Sequence, residues 1–205
     1  PMGKFYLEDR ISVKYRDLSP YLIQALVATE DKRFYDHYGV DGEGLLRAVA
    51  FLGSQGGAST ITMQTAKNLF TDNWSTKNKL LRVIQKIKES IIAIKLERNF
   101  TKQEILTLYL NTVPFSENLF GVSNASRSFF QKEPDRLNVE EAALLIGMIN
   151  APTKYNPNRN PKLALERRNL VLNRMASQKY ITDEQAEQLK AMPVVTNFKK
   201  LDENN

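Results

Sequence analysis

Helix-start signals recur along the chain, and they limit its fold more than any other feature of the sequence. Ser19-Pro20 reads as an N-cap followed by proline at the first helical position. Thr101 and Glu104 have the spacing of a capping box ahead of an apolar run. No alternating strand pattern of useful length stands out, and only Val194-Val195 could form a short extended piece. The sequence therefore predicts a mainly α fold. Further starts are predicted at Asn138, Asn160-Pro161 and Thr182.

Length and composition fit one globular domain. The chain has 205 residues, of which 42% are hydrophobic and 25% charged, so it can bury a core without disulfides. The absence of cysteine excludes a thiolate nucleophile or a cysteine metal site. A formal charge of +6 suggests an anionic partner: a nucleic acid, a phosphate ligand or an anionic membrane.

The predicted boundaries place one domain at 18–196, between a lead-in at 1–17 and a tail at 197–205 that we expect to be loose from about Asn197. Pro1-Met2-Gly3 looks like a cloning remnant. The sequence has no run of 18 apolar residues that could span a membrane. We expect the chain to be cut from a longer, membrane-tethered protein. Unstructured stretches are predicted at 53–58, 72–76, 112–124 and 152–161.

The longest predicted helix runs from about Lys77 to Arg98. Arg82, Lys86 and Glu89 follow one another at spacings of four and three, so one acid ends a short basic row. The alternative interpretation of this row is a solvated face with an ordinary ion pair. A separate apolar stripe on the same helix contains Leu80, Ile84, Ile87, Ile91 and Ile94.

Glu30 is the first candidate for chemistry. It falls on the side of its predicted helix that carries Ile23 and Val27, and a partly desolvated carboxyl suits a general acid or base. The alternative is an ordinary helix-end acid paired with Lys32 or Arg33. Asp31 could be a second carboxylate, although such a residue more often caps the next turn, and His37 is expected to be structural.

A glycine-rich loop, Gly53 to Ala58, leads into a helix with a polar face. Thr60, Gln64 and Lys67 share that face at spacings of four and three, and Ser59 precedes them. A helix N-terminus with hydroxyl, amide and ammonium groups suits a phosphate or pyrophosphate. The lysine lies too far from the last glycine for a Walker loop, and a flexible linker before a polar face is the alternative.

Two acids with neighbouring cations indicate a class of reaction. Glu30 and Glu89 could flank a sugar linkage, as in glycosyl transfer and hydrolysis. Lys67, Lys86 and Arg82 would favour a phosphorylated leaving group. The reasoning from composition and spacing ends here.

At these residues the chain resembles the peptidoglycan glycosyltransferases, the polymerase domains of class A penicillin-binding proteins or monofunctional enzymes. The resemblance covers about 18–192 and implies a lysozyme-like bilobed helical fold with a smaller membrane-proximal lobe. It also implies polymerisation of lipid II into β-1,4-linked glycan strands with inversion, release of undecaprenyl pyrophosphate, and inhibition by moenomycin. The five matching segments are Ala28–Gly39, Gly57–Asn68, Gln85–Glu89, Lys102–Asn111 and Arg167–Arg174.

The resemblance implies a role for each candidate residue. Glu30 matches the base that deprotonates the acceptor 4-hydroxyl. Glu89 matches the glutamate that helps the pyrophosphate leave, directly or through a divalent cation such as Mg or Mn. Lys67 matches a donor-site lysine, and Arg82 is one candidate for a second donor-site cation. Further cleft positions are Gln64, Ser59, Thr60, Lys86 and Asp31, although Asp31, like His37, Asn111 and Arg168, looks more like scaffold.

Two departures from the family pattern concern pyrophosphate binding. Met63 stands where the second segment usually has its first glutamine, and Gln85 replaces the usual arginine of the third. Three alternatives to the polymerase stay open: a lysozyme-like muramidase or lytic transglycosylase, a non-catalytic domain that binds the lipid-linked precursor, and a nucleic-acid-binding helical domain.

The partners implied are lipid II, the lipid-linked glycan strand, the membrane surface and other cell-wall synthesis proteins, with no nucleic acid. The implied location is the extracytoplasmic, periplasmic face of the bacterial inner membrane, with a transmembrane tether outside these 205 residues. An apolar cluster would either dip into the outer leaflet or pack inside the small lobe. Its members are Leu69, Phe70, Trp74, Leu80 and Leu81.

Overall fold

The prediction of a mainly α fold is confirmed. The computed structural model describes residues 12–44, 59–70, 78–116 and 118–200. The loop at 53–58, Trp74, Lys77 and the side chain of Leu80 lie outside the described part. The helices are α1 (Pro20–Glu30), α2 (Ile61–Phe70), α3 (Lys79–Asn99), α4 (Lys102–Thr112), α5 (Val122–Phe130), α6 (Val139–Ile149), α7 (Pro161–Ser177) and α8 (Asp183–Ala191), and the strands are β1 (Pro114–Ser116) and β2 (Leu119–Phe120).

The predicted helix starts are confirmed, and most act as capping boxes. The side chains of Thr101, Asn138 and Thr182 each accept a hydrogen bond from the backbone three residues later. These bonds satisfy N–H groups that a helix leaves unpaired at its first turn. Ser19 differs, because its buried hydroxyl donates to the carbonyl oxygen of Leu137 at 2.8 Å instead of capping α1.

The prediction that 112–124 lacks regular structure is wrong. Strands β1 and β2 form an antiparallel pair with an irregular register, and α5 begins within the same stretch. Phe115 of β1 is fully buried, so the hairpin closes over the core. These strands of two and three residues are too short for an alternating pattern to reveal.

The core lies between helices that the sequence separates widely. Helix α1 packs against α6 and α7, while α2 packs against α3 and α4. Leu22 and Leu26 of α1, Ile105 of α4 and Leu145 of α6 have no solvent exposure. Burial of this apolar surface supplies the main stabilising free energy.

Helix α3 does not bury its apolar stripe. A stripe of this kind usually faces the core, yet Ile87 and Ile91 are 55% and 50% exposed. The buried face of α3 instead carries Glu89, Ala93 and Leu96. Within the described ranges, no helix combines the length and the apolar character needed to cross a bilayer.

The C-terminal segment is docked as far as residue 200, so the expectation of looseness from Asn197 does not describe these residues. The backbone N–H of Asn197 donates to Phe129 and that of Lys199 to Ser128, each at 2.8 Å. The Phe198 ring lies 5.2 Å from the Phe129 ring. These bonds pair carbonyl groups that the end of α5 would otherwise leave free.

Candidate active site

Glu30 ends α1 half-buried, and its carboxylate has an amide partner from α2. The side-chain nitrogen Nε2 of Gln64 donates to Glu30 Oε2 at 3.0 Å. The hydroxyl of Tyr109 on α4 donates to Gln64 Oε1 at 3.1 Å. The predicted alternative of a pair with Arg33 is wrong, because Arg33 pairs with Asp41 and Glu43.

Two arginines of α7 reach the same end of α1. Arg174 Nη1 donates to the carbonyl oxygen of Thr29 at 2.7 Å and so holds the residue before Glu30. Burial and then the charge of Arg174 lower the pKa of Arg167, while the Glu30 carboxylate acts in the opposite direction. Both arginine side chains therefore lie close to the end of α1 that carries Glu30.

Asp31 is a buried connector between the loop after α1 and the start of α2. Its Oδ2 accepts a hydrogen bond from the backbone N–H of Ile61 at 3.1 Å. The same oxygen lies 2.9 Å from Nε2 of His37, which is also buried. Asp31 thus caps α2, and its predicted placement among the substrate-binding residues stays a prediction that this geometry does not favour.

Glu89 is buried and paired with the cation one turn before it. Lys86 Nζ donates to Glu89 Oε2 at 2.8 Å and to Ser59 Oγ at 2.6 Å. The Glu89 side chain is 2% exposed, whereas that of Lys86 is 53% exposed. The structure therefore brings Ser59, Lys86 and Glu89 together, with the ammonium group facing solvent and the carboxylate behind it.

The remaining candidates occupy different environments. Thr60 is buried; its hydroxyl donates to the Gly39 carbonyl at 2.6 Å and accepts from the Met63 N–H, so it acts as a cap. Lys67 is exposed on the last turns of α2, and Arg82 is exposed on α3. Among the described residues, neither of these two cations has an ion-pair partner.

The structure also reveals a partly buried ion pair that the sequence reasoning missed. Lys102 Nζ donates to Glu97 Oε1 at 2.8 Å and to the His37 carbonyl at 2.6 Å. Glu97 also accepts from the Thr62 hydroxyl at 2.7 Å. The pair joins α2, α3 and α4 to the loop after α1. The one sequence feature that could have pointed to this pair is the position of Lys102 at the start of the matching segment Lys102–Asn111.

Among the predicted site residues, Glu89 is the one proposed to hold a divalent cation. No group of three His, Cys, Asp or Glu residues that could hold a metal ion occurs in the described ranges. Glu89 Oε2 is engaged with Lys86. A cation there would need oxygen ligands from a bound substrate, as Mg²⁺ commonly has in phosphate sites.

Both predicted catalytic carboxylates are connected to the beginning of α2. Glu30 reaches it through Gln64, and Glu89 through Lys86 and Ser59. The Glu30 carboxylate and the Glu89–Lys86 pair are thus both hydrogen-bonded to residues at the start of α2. This arrangement can accept a proton at one position and stabilise developing negative charge at another.

Comparison with known proteins gives a consistent result. The family model described as Transglycosylase matches residues 1–176. The chain is 41% identical over 196 residues to penicillin-binding protein 1A of Aquifex aeolicus and 40% identical over 193 residues to that of Escherichia coli. These alignments cover 94% and 92% of the chain but 26% and 22% of the relatives, so the chain spans about a quarter of their length.

The fold is similar to a solved structure of the same kind. The crystal structure of penicillin-binding protein 1A from Haemophilus influenzae superposes with a TM-score of 0.57 at 26% identity, over 94% of this chain and 19% of that one. This likeness bears out the expected lysozyme-like glycosyltransferase fold. On the family match and these identities, the chain belongs to the transglycosylase family found in the class A penicillin-binding proteins.

Proposed function

We propose that this domain is a peptidoglycan glycosyltransferase that polymerises lipid II at the extracytoplasmic face of the inner membrane. One observation carries the proposal: a half-buried and a buried glutamate attach to the start of one helix, with Lys86 beside the second. Family membership and the names of the relatives support the same activity. Lipid II and the lipid-linked glycan strand would be its substrates.

The proposed reaction is a single displacement. Glu30 accepts the proton of the acceptor 4-hydroxyl, whose oxygen then bonds to the anomeric carbon of the donor strand. The bond from that carbon to the pyrophosphate breaks, and the leaving oxygen takes the electron pair. Lys86, with Lys67 further along α2, would stabilise the leaving charge. An α-linked donor then gives a β-1,4 product with inversion.

A divalent cation is part of the proposal at Glu89 only. Glu89 would hold it together with oxygens of the bound pyrophosphate, where the cation would add positive charge. Measuring the rate of turnover with added Mg²⁺, Mn²⁺ or a chelator tests this point. An unchanged rate in the presence of the chelator would exclude a divalent cation.

Incubation of the 205-residue chain with labelled lipid II tests the activity. We expect longer glycan chains, and a loss of about 10²–10⁴ in rate for Glu30→Gln, because a general base contributes that much. Glu89→Gln should also slow turnover. Glu187→Gln is the matched control, since this glutamate is exposed on α8. Absence of elongation by the unaltered chain would refute the polymerase, and shortening of added glycan would indicate a lytic enzyme.

We also propose that α3 faces the membrane. Its exposed stripe comprises Val83, Ile84, Ile87, Ile91 and Ile94. The neighbouring Arg82, Lys88 and Lys95 are exposed as well. An apolar face beside cations is typical of a helix that lies on an anionic bilayer. Phe70, which is 57% exposed, extends this surface from α2.

A further inference from the structure

A chain of hydrogen bonds connects Glu30 to a residue in the core. Tyr109 donates to Gln64 at 3.1 Å, and Gln64 donates to Glu30 at 3.0 Å. The three residues come from α4, α2 and α1. Tyr109 has no solvent exposure, whereas Gln64 and Glu30 are half-buried. The chain therefore runs from the core to a carboxylate that solvent can reach.

The chemistry of the three groups fixes the direction of the chain. A carboxylate only accepts hydrogen bonds, so Gln64 must present its NH₂ group to Glu30. Its carbonyl oxygen then faces the opposite way and requires a donor, which the Tyr109 hydroxyl supplies. Burial, and after it the charge of Glu30, raise the pKa of Tyr109 well above its ordinary value of 10.0. The hydroxyl therefore keeps its proton at neutral pH and can act as the donor.

Without the tyrosine hydroxyl, the Gln64 amide would be held at one end only, by its bond to Glu30, and could rotate about that bond. A flipped Gln64 would direct its carbonyl oxygen at the Glu30 carboxylate, which repels it. A rotated Gln64 would leave Glu30 Oε2 without its donor. Glu30 Oε1 has no hydrogen-bond partner in the described part of the chain, so the Gln64 bond determines which oxygen is available to a hydroxyl group.

We propose that Tyr109 is a positioning residue, which holds the Gln64 amide so that its N–H stays on Glu30 Oε2 and Oε1 stays free for the acceptor hydroxyl. The catalytic consequence rests on the proposed function, whereas the orientation of Gln64 does not. Misplacement of a catalytic group by about 1 Å can cost about 10²-fold in rate. Tyr109→Phe is the sharpest change, because it removes one oxygen and keeps the ring in the core.

Nuclear magnetic resonance tests the orientation without any substrate. In the unaltered chain, we expect the Gln64 side-chain NH₂ signals to shift when Glu30 is changed to Gln, because the acceptor has lost its charge. In the Tyr109→Phe background, this response to Glu30→Gln should disappear. An equal response in both backgrounds would overturn the proposal, and it would do so even if the chain proved unable to elongate lipid II.

A double-mutant cycle on lipid II polymerisation tests the catalytic consequence. Tyr109→Phe should lower kcat about tenfold and leave KM within about twofold, because the change acts on the proton acceptor and not on Lys67 or Lys86, the cations proposed to bind the donor. In a Gln64→Ala background, Tyr109→Phe should cause no further loss. Thr65→Val is the matched control: it removes another buried hydroxyl, which donates to Ile61 within α2, and should keep the original kcat. If the double variant lost kcat by the product of the two single losses, Tyr109 and Gln64 would act independently, and the proposal would be contradicted. A kcat for Tyr109→Phe equal to that of Thr65→Val would contradict it as well.

Discussion

Among single residues, Arg168 is a buried charge that holds α7 against the end of α8. It lies on α7 at 1% exposure, and its guanidinium donates to carbonyl oxygens at and after the end of α8. The bonds to Met192 and Leu189 are 2.7 and 3.2 Å long. These carbonyls form the negative end of a helix, which explains how the charge is tolerated inside the domain.

Arg168→Lys should therefore destabilise the domain although the charge is kept. The lysine ammonium has three N–H donors on a flexible side chain. It cannot reproduce the planar arrangement of five N–H donors in the arginine guanidinium. Carbonyl groups left unpaired in the interior should cost about 2–4 kcal/mol of unfolding free energy. Urea denaturation measures the loss, with the half-exposed Arg127→Lys as control. Equal midpoints for the two variants would show that the fork geometry at Arg168 is unimportant.

The raised pKa of Tyr109 predicts how the unfolding free energy changes at high pH. Its pKa is raised by burial and by Glu30, so the folded state keeps a proton that the unfolded state releases near pH 10.0. This contribution to stability is complete below pH 10 and is lost as the pH rises further. The unfolding free energy should fall more steeply for the unaltered chain than for Tyr109→Phe, by up to about 1.4 kcal/mol per pH unit. Parallel curves between pH 8 and 11 would contradict the assignment.

At the scale of elements, the loop from Asp31 to Gly39 joins α1 to α2 and α3. Gly39 has a φ of +89°, and a Cβ added there would lie 2.7 Å from the backbone of Ala93 on α3. Its carbonyl accepts from Thr60, one residue before α2. Close contact of two backbones requires glycine at this position.

Gly39→Ala should destabilise the domain by about 3 kcal/mol, because a left-handed backbone conformation costs about 1–2 kcal/mol and the overlap with α3 adds to it. Gly42→Ala is the matched control, since nothing lies within 4 Å of a Cβ at that position. Chemical denaturation of both variants measures the difference. A loss at Gly39 no larger than at Gly42 would mean that the loop can move away from α3.

Local signals predicted the elements better than their surroundings. The capping boxes at Thr101 and Asn138 involve residues three apart, so the sequence alone reveals them. The contact of Glu30 with Gln64 spans 34 positions and that of Gln64 with Tyr109 spans 45, which no periodic pattern encodes. Helix α5 was missed, because its nine residues start at a glycine without a side-chain cap.

The same limit applies to the α3 stripe and to the role of Asp31. Spacing predicted that Ile87 and Ile91 share a face, but only tertiary packing decides whether that face meets the core or solvent. The sequence allowed Asp31 to be a second carboxylate or a cap. Its burial against Ile61 and His37 is what favours the cap.

At the scale of the whole molecule, the arrangement of helices places the candidate site at a junction. Helix α1 packs with α6 and α7, while α2 packs with α3 and α4. Glu30 stands at the end of α1 and is held by Gln64 from α2, while Arg174 of α7 holds the residue before it. The site therefore depends on how the two groups of helices pack, and changes remote from Glu30 can alter its geometry.

The exposed stripe of α3 gives a prediction for the molecule as a whole. The net charge of +6 favours anionic vesicles, and the stripe provides apolar surface for insertion. Ile87→Asn with Ile91→Asn should weaken co-sedimentation with phosphatidylglycerol-containing vesicles about thirtyfold, equivalent to about 2 kcal/mol of apolar burial.

The two isoleucines are already exposed, so the same double change should leave the unfolding free energy within about 0.5 kcal/mol of its original value. Leu170→Asn with Val195→Asn is the matched control, because both side chains are exposed elsewhere, at 38% and 73%. A weakened attachment in the stripe variant alone would locate the membrane surface on α3. Equal binding by both variants would show instead that charge alone attracts the chain to the vesicles, and raised salt would then release the two to the same extent.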